Sequence, residues 1–129
     1  MITYNGGRIG NLIKHIDRKD IYVTDTFARA TRYANAQAGE VVSLSLDQEQ
    51  AEGTAILEVE CNVQFRRRPE SHQSLDHAEA VARRFKVKSA TLRFRSNEKT
   101  VYGSRHTGYM NREQVVDFLN ARGIQVIIT

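Results

Sequence analysis

The chain has 129 residues, of which 40% are hydrophobic, 26% charged and 8% aromatic, with eight glycines and one proline. The apolar fraction excludes a disordered chain, and the few glycine and proline residues exclude a fibrous or low-complexity one. The single cysteine excludes an internal disulfide framework and a multi-cysteine zinc site. No apolar run approaches the roughly 20 residues of a membrane span. We therefore expect one cytoplasmic domain over residues 1–129, with no membrane partner.

The net charge of +4 is unevenly distributed along the chain. Residues 66–105 contain eleven Lys or Arg and four Asp or Glu, a net charge of +7, whereas the remainder carries −3. A surface of this sign attracts nucleic acid or an acidic protein, although a solvated basic face gives the same pattern. The candidate polyanion-binding residues are Arg66, Arg67, Arg68, Arg84, Lys86, Arg93 and Arg95.

The first half of the chain predicts alternating strands and helices. Residues 2–4 predict a short strand that ends at residues 5–7, and apolar residues at 9, 12, 13 and 16 have helical spacing. Residues 21–24 predict a second strand. The next helix begins after an N-cap at Asp25 or Thr26 and ends near Gly39, which suits a left-handed C-cap. Residues 42–46 predict a half-buried strand, and residues 55–66 predict a longer antiparallel strand with one polar face.

The second half predicts two more helices and three more strands. Ser74 caps a predicted helix whose apolar positions, up to Phe85, share one face. Residues 91–95 and 100–102 predict a hairpin. Asn111 and Gln114 have the spacing of a capping box, which begins a helix that ends at Gly123 and precedes a strand at residues 124–128. The fold class is therefore α+β, with a mixed, mainly antiparallel sheet and about four helices.

Candidate reactive groups are few. His72 and His77 lie five residues apart, on different faces of a helix, and no second cluster supplies further ligands, so we expect no metal site. Cys61 lies on the apolar side of its strand, which favours a buried thiol over a nucleophile. Three phenylalanines alternate with cations as base-stacking residues do, but they occupy the inward positions of their elements and we expect them in the core: Phe65, Phe85 and Phe94.

One arrangement of motifs in the first half suggests a family. Tyr4-Asn5-Gly6-Gly7 ends the first predicted strand, Tyr22-Val23-Thr24 lies on the second, and an alanine-rich helix ending in Tyr33-Ala34 follows. Over residues 2–60 this order resembles small bacterial and phage ADP-ribosyltransferase-like domains, including the rifampin ADP-ribosyltransferase type. Those domains have Tyr-His-Gly on the first strand and Tyr-x-Thr before the helix. The resemblance implies an ADP-ribosyltransferase-like fold with NAD as the substrate.

The resemblance also implies roles for individual residues. In that family the first motif hydrogen-bonds NAD, and the tyrosine of the second strand stacks on nicotinamide. Tyr22 would then act in catalysis, while Tyr4, Asn5, Gly6 and the hydroxyl of Thr24 would bind NAD. Asn5 stands where the family has histidine, a departure that implies weaker NAD binding or lost activity.

A late acidic residue in the family stabilises the positive charge that develops at the ribose. By this resemblance, Glu113 is the candidate catalytic carboxylate. Its predicted position in the first turn of a helix is also one that the helix dipole favours for any acid. Glu58 and Glu60 share the polar face of one strand and are the alternative pair.

These observations leave more than one function open. As an enzyme, the chain would transfer ADP-ribose from NAD to a macromolecular target that is steered by the basic second half. The alternative is a non-catalytic basic binding or inhibitor protein, of a kind that phages and mobile elements encode, which contacts nucleic acid or a nucleic-acid-processing protein complex. A transferase scaffold retained only for binding is a third interpretation.

Overall fold

The computed structural model describes residues 1–38, 41–68, 77–95 and 97–129, with the backbone alone for Arg66–Arg68 and His77. Within these ranges the helices are α1 (Ile9–His15), α2 (Phe27–Ala36) and α3 (Arg112–Asn120). The strands are β1 (Ile2–Arg8), β2 (Ile21–Thr24), β3 (Val42–Ser43), β4 (Glu49–Gln50), β5 (Thr54–Cys61), β6 (Arg66–Arg68), β7 (His77–Ala82), β8 (Phe85–Arg93), β9 (Thr100–Ser104), β10 (Gly108–Asn111) and β11 (Gln125–Ile128).

The α+β class with mixed, mainly antiparallel sheets is confirmed. The larger sheet has the strand order β11-β8-β5-β1-β2-β7-β6, and the smaller has the order β10-β9-β4-β3. The pairs β8–β11 and β4–β9 are parallel, and the other described pairs are antiparallel. The predicted number of helices is wrong, because the described residues contain three helices rather than about four.

The missing helix is replaced by a strand. Residues 77–82 form β7, which pairs with β2 from Ile21 opposite Ala82 to Thr24 opposite Glu79. Ala78 and Ala82 are buried, and their spacing of four fits one face of a strand as well as one face of a helix. The local pattern is compatible with a helix and with a strand, and pairing with β2 selects the strand. Ser74, the predicted cap, lies outside the described residues, as does Gly39.

Four strand predictions are also wrong in detail. The predicted hairpin at residues 91–102 does not form, because β8 lies between β5 and β11 while β9 lies between β4 and β10. β1 does not end at residues 5–7 but continues to Arg8, since this half pairs with β5. β5 ends at Cys61 rather than at residue 66, and the strand predicted at 42–46 is reduced to the exposed pair of β3.

Several local predictions are confirmed. Thr26 caps α2 by accepting a hydrogen bond of 3.2 Å from the backbone N–H of Arg29. The capping box at α3 is present, with both reciprocal hydrogen bonds between Asn111 and Gln114 at 2.9 Å. The Cys61 thiol is buried. Phe65, Phe85 and Phe94 are partly buried and pack against the core.

The larger sheet is covered on both faces. One face packs with α1, α3 and β9 into the main core, whose fully buried side chains include Ile9, Leu57, Leu92, Tyr102 and Leu119. On the opposite face α2 packs Ala30 and Ala34 on Ile56 of β5. This second cluster is small because α2 contributes alanines, so helix and sheet approach closely.

The larger sheet cannot be flat. β7 and β8 stand four places apart in it, which is about 19 Å in a flat sheet. However, only Arg83 and Arg84 separate Ala82 from Phe85, and those three steps span at most about 11 Å. β1 pairs with β5 from Ile2 to Arg8, but its register with β2 contains the single pair Tyr4–Thr24. Beyond that pair the two strands diverge, and a cleft opens between them.

No helix in the described part of the chain is long and apolar enough to cross a membrane.

Candidate functional site: the cleft between β1 and β2

The cleft forms where β1 and β2 separate, and we call it the β1–β2 cleft. It is a cavity of about 220 Å³ between α1 and α2. Strands β1, β2, β5 and β7 together with both helices supply its lining: Tyr4, Asn5, Gly6, Gly7, Arg8, Asn11, Leu12, His15, Tyr22, Val23, Thr24, Tyr33, Gln37, Ala55 and Glu79. Pockets for drug-sized ligands have volumes of roughly 300–1,000 Å³, so this cavity suits a smaller group or one end of a larger molecule.

Gly6 sets how closely α2 approaches the sheet. A Cβ at this position would lie 1.8 Å from the backbone oxygen of Ala30, far inside contact distance. Only glycine allows the approach. The close approach brings Tyr33 of α2 and Gln37, the C-cap residue that follows the helix, to the wall of the cleft. The Tyr4 ring is held edge-on against Phe27 at the start of α2, with ring centroids 5.8 Å apart and an angle of 89°.

Two polar side chains hold β2 between its neighbours. The Asn5 side-chain amide donates a hydrogen bond of 2.7 Å from Nδ2 to the backbone oxygen of Tyr22. Thr24 is buried, and its hydroxyl donates a hydrogen bond of 2.7 Å to the backbone oxygen of Ala78 on β7. Both contacts are therefore structural. They fix the two strands at the point where they diverge.

Tyr22 and Glu79 stand at the open side of the cleft. The Tyr22 side chain is 67% exposed although it lies within a strand, so its ring is available to a ligand. Glu79 is opposite Thr24 in the β2–β7 register. Since side chains of paired residues lie on one face of a sheet, this carboxylate points to the same side as Thr24 and Tyr22.

His15 lines the α1 side of the cleft. Burial lowers the pKa of His15, the nearby charges of Arg18 and Lys14 lower it further, and Asp20 offsets part of this effect. The imidazole is therefore neutral at pH 7, so it can donate one hydrogen bond and accept another.

The structure brings together the five candidate site residues of the two tyrosine motifs but leaves the expected acids elsewhere. Tyr4, Asn5, Gly6, Tyr22 and Thr24 all line the β1–β2 cleft. Glu113 lines a separate cavity with Asn97, Thr100 and Arg112. Glu58 accepts a hydrogen bond from Ser89 at 3.0 Å, and Glu60 forms an ion pair with Lys88 at 3.3 Å. Neither of these two carboxylates lines the cleft.

Among the described residues, the acid that lines the cleft is Glu79, which no sequence motif indicates. Its segment carries a helical pattern, so nothing local relates it to Tyr22, more than fifty positions earlier. The sequence also does not indicate that Asn11 and His15 line the cleft. The local pattern of α1 identifies only its apolar face, and these two residues are not part of that face. The places of Tyr33 and Gln37 in the lining can be inferred only after α2 is known to pack over Gly6.

Two further cavities adjoin the cleft. The first, which we call the edge cavity, has a volume of about 690 Å³ and shares Tyr22 and Glu79 with the cleft. The other described residues that line it are Asn62, Val63, Gln64, Ala80, Val81, Arg83 and Arg84. The second, the α1–β9 cavity, has a volume of about 320 Å³, shares Arg8 and Asn11 with the cleft, and also contains Lys14, Ser104 and His106.

The predicted polyanion-binding residues do not form one cluster. Arg84 and Lys86 lie just before and just after the start of β8, whereas Arg93 is its last residue and Arg95 follows it, so the two pairs are about 23 Å or more apart for an extended strand. Arg66–Arg68 form β6, at the edge of the sheet beside β7.

Within the residues that the structure describes, no group of three or more His, Cys, Asp or Glu side chains could hold a metal ion. His72 lies outside them. Comparison with known proteins found no matching family model, no matching curated protein and no matching solved structure.

Proposed function

We propose that this chain has an ADP-ribosyltransferase-like fold and transfers ADP-ribose from NAD to a macromolecular target. One observation carries the proposal. The residues that the family resemblance assigns to NAD come from two strands about twenty positions apart, yet they line one cavity: Tyr4, Asn5, Gly6, Tyr22 and Thr24.

The dimensions of the cleft support binding of one end of NAD. Its volume of about 220 Å³ suits the nicotinamide and its ribose, while the exposed Tyr22 ring supplies a stacking surface. The diphosphate needs cations outside this space. The adjoining α1–β9 cavity offers Lys14, which is exposed, and Arg8, which is paired with Glu52. NAD would then extend from the cleft past Arg8 and Asn11, which both cavities share.

The chemistry requires a carboxylate beside the ribose. The bond between ribose C1′ and the nicotinamide nitrogen breaks, and neutral nicotinamide leaves with the electron pair. A lone pair of the acceptor forms the new bond to C1′, and the acceptor's proton passes to a carboxylate or to water. A carboxylate fixed in the cleft stabilises the positive charge that develops on the ribose.

Glu79 takes this role in the proposal, in place of Glu113. Glu79 lines the cleft beside Tyr22, while Glu113 lines another cavity. Its position in β7 also fixes it relative to β2, because it pairs with Thr24 in the backbone register. Substitution of each glutamate by glutamine therefore tests which of the two carboxylates acts in the reaction.

The experiment measures NAD binding and nicotinamide release separately. Tyr22→Ala is expected to weaken NAD binding by about five- to 150-fold, since ring stacking on one base contributes about 1–3 kcal/mol. Tyr22→Phe, which keeps the ring, should bind like the parent chain. Glu79→Gln should reduce nicotinamide release about 10²–10³-fold while leaving NAD affinity within a few-fold, and Glu113→Gln should change neither quantity.

Two results would overturn the proposal. If millimolar NAD gives neither a thermal shift nor a calorimetric signal, the chain does not bind NAD. If Glu113→Gln abolishes nicotinamide release while Glu79→Gln does not, the assignment of the carboxylate is wrong.

A second function is favoured by Asn5. Its side-chain amide is hydrogen-bonded to the Tyr22 backbone, at the position where the family has histidine. This contact suits a scaffold that has kept the strand arrangement for binding alone, as a basic binding or inhibitor protein. Such a protein would bind its target and release no nicotinamide under any condition.

A further inference from the structure

We infer that the edge cavity binds a single strand of nucleic acid through a track of four cations. The track is continuous across two cavities. Arg83 and Arg84 line the edge cavity, and they also line a neighbouring cavity of about 440 Å³ together with Arg18 and Lys19. We call these four residues the basic track. The inference deepens the proposed function, on which its acceptor role rests, by naming the class of target.

The fold assembles this track from two separate connections. Arg18 and Lys19 belong to the loop between α1 and β2, and Arg83 and Arg84 form the two-residue connection between β7 and β8. That short connection is what forces the sheet to bend, so it brings the two arginines beside the α1–β2 loop. All four residues are exposed. Only Arg84 is among the residues that the charge pattern of the sequence selects.

The charges around the track favour an anionic ligand. Asp17 lines the same neighbouring cavity, but it is bonded to Arg122 by contacts of 2.7 and 2.9 Å. Among the residues that the structure describes, Glu79 is the acid that lines the edge cavity. At the far side of β7, the edge strand β6 consists of three arginines, with Arg66 opposite Glu79 in the backbone register.

Nucleic acid fits better than an acidic protein because an aromatic ring adjoins the cations. Tyr22 is 67% exposed and Val81 is 43% exposed, and both line the edge cavity. Single strands are bound by cations that follow the phosphates and by aromatic rings that stack on unpaired bases. The cavity of about 690 Å³ has room for an unstacked nucleotide.

The position of the cavity gives the strand a role in the transfer. Tyr22 and Glu79 line both the edge cavity and the β1–β2 cleft. A nucleotide in the edge cavity therefore lies next to the ribose of NAD in the cleft, on the side of the carboxylate. A nucleophilic oxygen or nitrogen of that nucleotide is the acceptor. It donates its lone pair to C1′ as nicotinamide leaves, and it loses its proton to Glu79 or to water.

The test measures binding of fluorescent 12-nucleotide single strands, one of DNA and one of RNA, by anisotropy between 50 and 200 mM salt. Each phosphate contact on a single strand contributes about 0.7 to the salt slope. Four contacts predict a slope near −2.8 and about a 50-fold loss of affinity over this range. The double variant Arg83→Gln/Arg84→Gln should lower the slope to about −1.4, a loss of about sevenfold.

The matched control is Lys99→Gln/Arg105→Gln, which removes the same charge at two exposed residues outside the edge cavity and the basic track. It should keep the parent slope. Equal slopes for the two double variants would overturn the inference, as would tighter binding to a duplex than to either strand. Equal competition by polyglutamate would overturn it too, because the partner would then be an acidic protein. Comparison of the affinities for the two single strands shows whether the ligand is RNA or DNA.

NAD binding, measured on the same preparations, separates the two proposals. NAD binding without oligonucleotide binding overturns the basic track and leaves the transferase in place. Oligonucleotide binding without NAD binding supports the track and removes the transferase. If the transfer also occurs, radiolabel from NAD should appear on the bound oligonucleotide, and Glu79→Gln should abolish this labelling while the oligonucleotide still binds.

Discussion

Replacing Gly6 with alanine tests whether the close contact between α2 and β1 builds the cleft. The added Cβ would lie 1.8 Å from the Ala30 backbone oxygen, and ordinary contact begins near 3.4 Å. α2 must therefore retreat by roughly 1.6 Å, and a gap of half that size already removes a quarter to a half of the dispersion energy at a contact. Ala30, Ala34 and Ile56 would lose their packing.

We expect Gly6→Ala to lower the free energy of unfolding by about 3 kcal/mol or more, at the upper end of overpacking substitutions. Gly7→Ala is the matched control. Its Cβ would lie 3.4 Å from the flexible side chain of Gln37, so we expect a change within about 1 kcal/mol. Urea denaturation followed by circular dichroism measures both values. A loss below 1 kcal/mol for Gly6→Ala, or equal losses for the two variants, would refute the reasoning.

Two further predictions concern stability. Asn111→Ala should cost about 1 kcal/mol in urea denaturation, because the hydrogen bond from the Gln114 backbone N–H to Asn111 Oδ1 is lost. Asn111→Ser, which keeps a side-chain oxygen, should cost much less, and equal losses for the two variants would contradict the assignment of the cap. The pKa of His15 is lowered from its ordinary value of about 6.5, so the unfolded chain binds more protons just below that pH. The free energy of unfolding should therefore fall as the pH drops below 6.5, and less so for His15→Gln. Urea denaturation of the parent chain and of His15→Gln at pH 7.5 and 5.5 measures this change in the free energy of unfolding. An equal change for the two proteins would contradict the prediction.

The sequence determined the elements whose signals are local. Thr26 and Asn111 identify the starts of α2 and α3 because a cap involves only the next three residues. The alternation in β5 identifies its buried face and with it the position of Cys61. These signals need no knowledge of distant partners, and the structure confirms them.

The tertiary structure alone decided which segments meet. The alanines at 78 and 82 fit a helix or a strand, and β7 exists because β2 supplies its hydrogen-bonding partner. The cleft depends on two facts that no local pattern contains: β1 and β2 share a single registered pair, and Gly6 admits α2. Glu79 and the basic track follow from the same bend of the sheet. Strand pairing over fifty or more positions is set by the packing of the whole chain, so side chains distant in sequence become neighbours only when the sheet has formed.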